Sequence, residues 1–166
     1  MKKKYKLTKE TIEICGKKLF RIQAIRDFGN VSKGDLGGFI EKEDNLSQEG
    51  NAWVYDDACV YDNARVYGNA CVYDNARVYG NARVFDNVWV FGDAWVCGDA
   101  WVSGDAWVSG KLKIKSGKIR DKNLFSSQKK NFKKELRELI KDHYWDSLEE
   151  DKSLIFKHLD MILDLL

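Results

Sequence analysis

The 166 residues carry 28 basic and 26 acidic side chains and are 44% apolar, enough for one soluble domain or for one domain plus an appendage. No apolar run reaches the roughly eighteen residues of a membrane-spanning helix. Polar sequence, not a signal core, follows Lys2, Lys3 and Lys4, so a cytoplasmic protein is expected. The four cysteines, Cys15, Cys59, Cys71 and Cys97, form no CxxC pair, which argues against a zinc ribbon or redox dithiol and reads as reduced thiols.

Residues 1–33 hold ten basic side chains against three acidic ones. Thr11 to Cys15 and Lys18 to Ala24 are strand-like and flank Gly16 and Lys17, which predicts a β-hairpin cap over 1–33.

Residues 34–110 reverse the charge, with four basic against thirteen acidic side chains. From Asn51 onward the chain falls into eleven uninterrupted hexads, such as NAWVYD, NARVYG and DAWVSG. The second position is small (Ala52, Ala58, Ala64) and the fourth is β-branched from Val54 to Ile114. Alternate residues of a strand share a face, so positions two and four point inward, and positions three and five point outward. Positions six and one are Asp or Gly followed by Asn or Asp, which suit tight corners. Three such sides close a coil of about eighteen residues, stacked on the next by parallel hydrogen bonds. A helix cannot satisfy the pattern, because its 3.6-residue period would smear the valines around the cylinder. The complete absence of proline agrees with a backbone committed to ladder bonding.

The same phase carried backward places Ile40 and Leu46 in the small-residue row and makes Lys42 and Gln48 interruptions of the valine row. GDLGGF (Gly34 to Phe39) lacks the strand and helix context of a phosphate loop and reads as a bend into the first coil. The solenoid is assigned to 34–120 and a helical appendage to 121–166. In that appendage Phe132, Leu136, Leu139 and Ile140 share one helical face. Ser147 and Glu150 resemble a capping box ahead of a stripe from Leu148 through Ile155, Leu159 and Ile162 to Leu166.

The β-branched residue followed four later by a small one, as in Val66 and Ala70, resembles the hexapeptide repeat of left-handed parallel β-helix proteins. The segments RIQAIRDFGNV, GDLGGFIEKEDNLSQEGNAWV and the YDNARVYGNARV repeats resemble the YdcK-like β-solenoid family of bacteria and phages. The resemblance implies a mainly β, left-handed parallel β-helix with a hairpin cap and C-terminal α-helices. It also suggests an acetyltransferase label carried by some members, and inhibition of a host defence nuclease complex as a phage use.

Enzymes on hexapeptide-repeat scaffolds commonly use histidines, and this solenoid has none. His143 and His158 fall in the expected helices and read as surface or half-buried helix residues. Asp93, Asp99 and Asp105 recur with the same neighbours at each corner, whereas an acid/base pair needs two different environments. No catalytic, cofactor or metal residue is assigned.

The outer surface carries the functional expectation. Trp89 and Trp107 stack on one side and Trp95 and Trp101 occupy the other two, with Tyr55, Tyr73 and Phe91 among the fifth positions. Large outward aromatics mark contact surfaces, so these seven are interface candidates for a homo-oligomer, dimer or higher, or for a partner protein. The terminal helices are the expected cover for one or two sides. The basic run Lys111, Lys113, Lys115, Lys118 and Arg120 is the candidate for nucleic-acid or polyanion contact, opposed by the acidic solenoid beside it. The expected function is a non-enzymatic protein-interaction module. A hexapeptide-repeat acyltransferase is the alternative, and polyanion binding through 111–134 a second.

Overall fold

A computed structural model describes residues 3–125. The hexads form a mainly β, parallel β-solenoid of about five turns, as the periodicity predicts. The expected helices, with His143 and His158, lie outside the described residues.

Strands β1 (Tyr5–Ile14) and β2 (Lys17–Ala24) form an antiparallel hairpin, which begins earlier than the sequence suggests. Its turn places Cys15 and Gly16 at φ 52° and 74°, the left-handed pair that two-residue hairpin turns require. Strand β3 (Leu36–Ile40) pairs antiparallel with β2 and parallel with Cys59–Val60, so GDLGGF enters the ladder directly.

Three walls follow. The first continues from β3 through Cys59–Val60, Arg77–Val78, Trp95–Val96 and Lys113–Ile114. The second stacks Arg65–Val66, Arg83–Val84, Trp101–Ser103 and Lys118–Arg120. The third stacks Trp53–Val54, Cys71–Val72, Trp89–Val90, Trp107–Ser109 and Asn123–Phe125. The ladder therefore continues to Phe125.

The lumen is lined as expected. Ala52 through Ala106 and Val54 through Val108 have at most 1% exposure, with Val88 replacing one alanine. Each such valine contributes about 1.5–3 kcal/mol only when the coils stack, because an isolated coil leaves it wet.

The corners hold by two devices. Position six adopts the left-handed conformation, as Asp at Asp56, Asp62, Asp74 and Asp86 and as Gly at Gly68 and Gly80. The aspartate there accepts the N–H of the residue one coil on: Gly80 N bonds Asp62 Oδ2 at 3.1 Å and Gly104 N bonds Asp86 Oδ2 at 3.1 Å. Position one builds side-chain ladders, Asn51–Asn69–Asn87–Asp105 and Asn63–Asn81–Asp99, with links of 2.9–3.3 Å.

The first coil corrects one expectation. Ile40 pairs with Val60 and Leu46 bridges Val66, so both belong to the valine row. Two extra residues between Leu46 and Val54 shift the phase. They lie in the Ser47–Gly50 segment, which carries Gln48 out of the lumen to accept the Lys4 N–H at 2.9 Å. Gly38 then takes the small-residue row, where a Cβ would lie 2.5 Å from the Ala58 carbonyl oxygen. At the other end the spacing contracts: Val102 pairs with Ile119 and Val108 with Leu124, so the last two sides are five residues long.

The hairpin seals the start of the rod. The Lys4 ammonium donates to the carbonyls of Ala52, Gly50 and Glu49 at 2.8, 3.2 and 3.3 Å. The Tyr5 hydroxyl donates to the carbonyl oxygen of Leu46 at 2.7 Å, and Asn45 Nδ2 donates to those of Ala64 and Asp62 at 2.9 and 3.1 Å. Edge groups that would otherwise template another chain are thereby occupied.

Candidate interaction surface

The outward side chains sort by wall. On the first, the hairpin covers the early rungs: Leu19, Phe39, Cys59 and Tyr61 form a buried cluster with Ile12, Ile14 and Tyr79 against it. Arg21 locks this corner. Its guanidinium lies 4.4 Å from the Phe39 ring centroid, bonds Glu10 at 2.8 Å and donates to the Gly37 carbonyl at 2.9 Å. Burial pushes the Cys59 thiol up to about 11 and the Tyr61 phenol up to about 12.

On the third wall the interface candidates divide. Trp89 and Trp107 stack with centroids 5.6 Å apart, and Tyr55 stacks on Tyr73 at 4.2 Å. Tyr73 and Phe91 are fully buried, so neither is available to an external partner, whereas Tyr55, Trp89 and Trp107 are half-buried. Trp53 lies outside the lumen yet is 1% exposed, because Tyr5 and Phe28 pack edge-on against it at 6.0 and 5.3 Å. Cys71 lies on the same wall, and burial pushes its thiol up to about 11.

Trp95 and Trp101, both half-buried, sit on different walls in the same environment. Each ring lies between cations from the rungs before and after it. Around Trp95, Arg77 and Lys113 are 5.3 and 4.3 Å from the ring centroid, and around Trp101, Arg83 and Lys118 are 4.7 and 5.2 Å away. Beside Trp95 a groove of about 450 Å³ is lined by Asn75, Arg77, Asp93, Lys111, Leu112 and Lys113.

The basic run does not make one surface. Lys113 belongs to the first wall, with Lys111 and Lys115 flanking its strand, while Lys118 and Arg120 belong to the second. The lysines join existing columns: Lys113 follows Arg77 and Trp95, and Lys118 follows Arg83 and Trp101.

The second wall carries a feature that hexad reading alone left unassigned. Arg65, Arg83, Lys118 and Arg120 are exposed along it, with Tyr67, Phe85 and Trp101 half-buried among them. Tyr67 and Phe85 stack at 4.9 Å with ring planes within 3°. Among the described residues no carboxylate lies within ion-pair distance of Arg65, Arg83 or Lys118. At its upper end a groove of about 490 Å³ runs from Glu43, Asp44 and Ser47 past Gln48 to Arg65, Tyr67 and Arg83. The signal was present as arginine at the third position eighteen residues apart.

Among the described residues no three His, Cys, Asp or Glu side chains are grouped to hold a metal ion. No described helix is long and apolar enough to cross a membrane.

Residues 58–74, 70–84 and 76–92 match the YdcK beta solenoid repeat family. These are YdcK-type solenoid repeats. A curated relative, "Uncharacterized acetyltransferase YdcK" of Escherichia coli (strain K12), is 53% identical over 38 residues, 23% of this chain. That stretch spans 12% of the relative's own length, so the likeness reaches the repeat and not a whole YdcK protein.

Proposed function

We propose that this YdcK-type solenoid is a non-enzymatic interaction module that presents rigid lateral walls to a partner protein. The observation that carries the reading is the second wall, where Trp101, Tyr67, Arg65 and Arg83 lie together and accessible. Trp, Tyr and Arg dominate the energetics of protein interfaces, and a stacked solenoid loses little conformational freedom when it binds. A second copy of the chain, in a dimer or higher oligomer, is the other partner to test. A host defence nuclease complex is the partner class to try first. The experiment places a photo-crosslinking amino acid at Phe85 or at Trp95 of the full chain. Crosslinks from either position into one partner protein support the module, and none from either position refutes it.

The alternative is an acyltransferase, the class to which the YdcK relative is assigned by its designation as an uncharacterized acetyltransferase. Calorimetry with acetyl-CoA at millimolar concentration separates the two: saturable heat supports the enzyme, and a flat trace removes it.

A further inference from the structure

We infer that the second wall docks an extended, acidic segment of a partner protein, with alternate carboxylates running along the rod axis. This rests on the interaction-module reading and names the chemistry of its partner.

Arg65, Arg83 and Lys118 occupy one column of the parallel ladder at the first, second and fourth rungs. At about 4.8 Å per rung the column spans about 14 Å. Alternate residues of an extended strand share a face about 6.8 Å apart, so three of them span about the same distance. Trp101 fills the third rung and holds its two neighbouring cations at 4.7 and 5.2 Å from its ring. The cations are therefore set in position before any partner arrives. Tyr67 and Phe85 form the parallel column, offering ring edges to the apolar parts of the same segment.

Charge selects a protein over a nucleic acid. The corners on either side of this wall carry Asp62 and Asp99 on one margin and Asp86, Asp105 and Asp121 on the other, and Glu43 and Asp44 stand at its upper end. A phosphate backbone is charged uniformly and meets these margins as well as the cations. A peptide can confine its carboxylates to the column.

The test uses the full chain and a fluorescent peptide of about ten residues alternating Glu and Thr. Its Gln-for-Glu counterpart and an oligothymidylate of similar length serve as comparisons. The acidic peptide is expected to bind more tightly than either. The double variant Arg65→Glu/Arg83→Glu should weaken it at least about tenfold, and Arg65→Gln/Arg83→Gln by less, with unchanged melting curves because both arginines are exposed. Lys9→Glu, on the exposed hairpin, should leave binding unaltered. Equal binding of the Gln peptide, tighter binding of the oligothymidylate, or indifference to the double variant overturns the proposal. If the peptide fails while crosslinks from Phe85 or Trp95 still reach a partner protein, the acidic chemistry is wrong and the module reading stands. If those crosslinks fail too, both fall.

Discussion

The Lys4 ammonium donates a 2.8 Å hydrogen bond to the carbonyl of Ala52, 48 residues further along the chain. Lys4 is 0% exposed, and two more carbonyls share its charge. The hairpin is thus fastened to the coil edge by a cation that fills what would otherwise be unpaired acceptors. Lys4→Met keeps the stem and removes the donors, at an expected cost of about 1–3 kcal/mol. Chemical denaturation gives the loss, and hydrogen exchange should show Tyr5 to Leu7 opening first.

Val84 tests the inward row directly. It is 0% exposed and pairs with Val66 and Val102 along the second wall. Val84→Asp places a carboxylate in the lumen without a partner, and the expected loss exceeds about 4 kcal/mol, enough to abolish cooperative melting. An unchanged thermal profile would contradict the inward assignment.

Gly38 probes the first coil. A Cβ there would meet the Ala58 carbonyl oxygen at 2.5 Å and Val54 Cγ1 at 2.7 Å, both on packed backbone or core. Gly38→Ala should therefore destabilise by about 1–3 kcal/mol through overpacking, although alanine fills the same row in the following coils. Equal stability of the variant would mean that this coil has room the packing does not show.

The regular coils were legible because one rule, inward at positions two and four, repeats without a gap from Asn51. The first coil was not, because backward extrapolation assumed an eighteen-residue pitch and the extra residues at Ser47 to Gly50 break it. Hydropathy alone could not choose, since Ile40 and Leu46 fit either inward row. The belt of Trp95 and Trp101 was legible from the three-sided geometry. The burial of Tyr73 and Phe91 was not, because a fifth-position aromatic has the same sequence signature whether its wall is covered or open. Nothing in the sequence singles out Lys4, because the carbonyls that accept from it come from Glu49, Gly50 and Ala52 and are brought close only by the fold.

Alkaline pH should weaken the fold. Cys59 and Cys71, pushed up from 9.0 to about 11 by burial, keep their protons where unfolded thiols lose them. Between those values the folded chain binds more protons, so stability falls as pH rises. Tyr61, held up to about 12, and Tyr5, also raised by burial, act in the same direction at higher pH. Lys4 opposes them. Burial, aided by repulsion from Arg26, lowers its ammonium to about 8, so it contributes rising stability between there and its unfolded value of 10.5. The two thiols outweigh the one amine, and the melting temperature, measured under reductant, should decline from about pH 9 to pH 11. Cys71→Ala should flatten that decline, and a decline of full size in this variant would remove Cys71 as a cause.

Trp101 separates binding from folding. Its indole is half-buried on the wall and is flanked by Arg83 and Lys118, while the lumen behind it is filled by Val102. Trp101→Ala removes no lumen contact, so its cost in stability should stay near 1 kcal/mol, a shift of a few degrees in melting temperature. It also releases both cations from the ring that positions them. Partner capture should therefore fall by about tenfold or more, as truncation of an interface tryptophan usually causes. Trp101→Phe keeps a ring face for the cations and should recover part of the loss. A variant that melts far lower and binds normally would reverse the assignment, making Trp101 a structural residue of the rod.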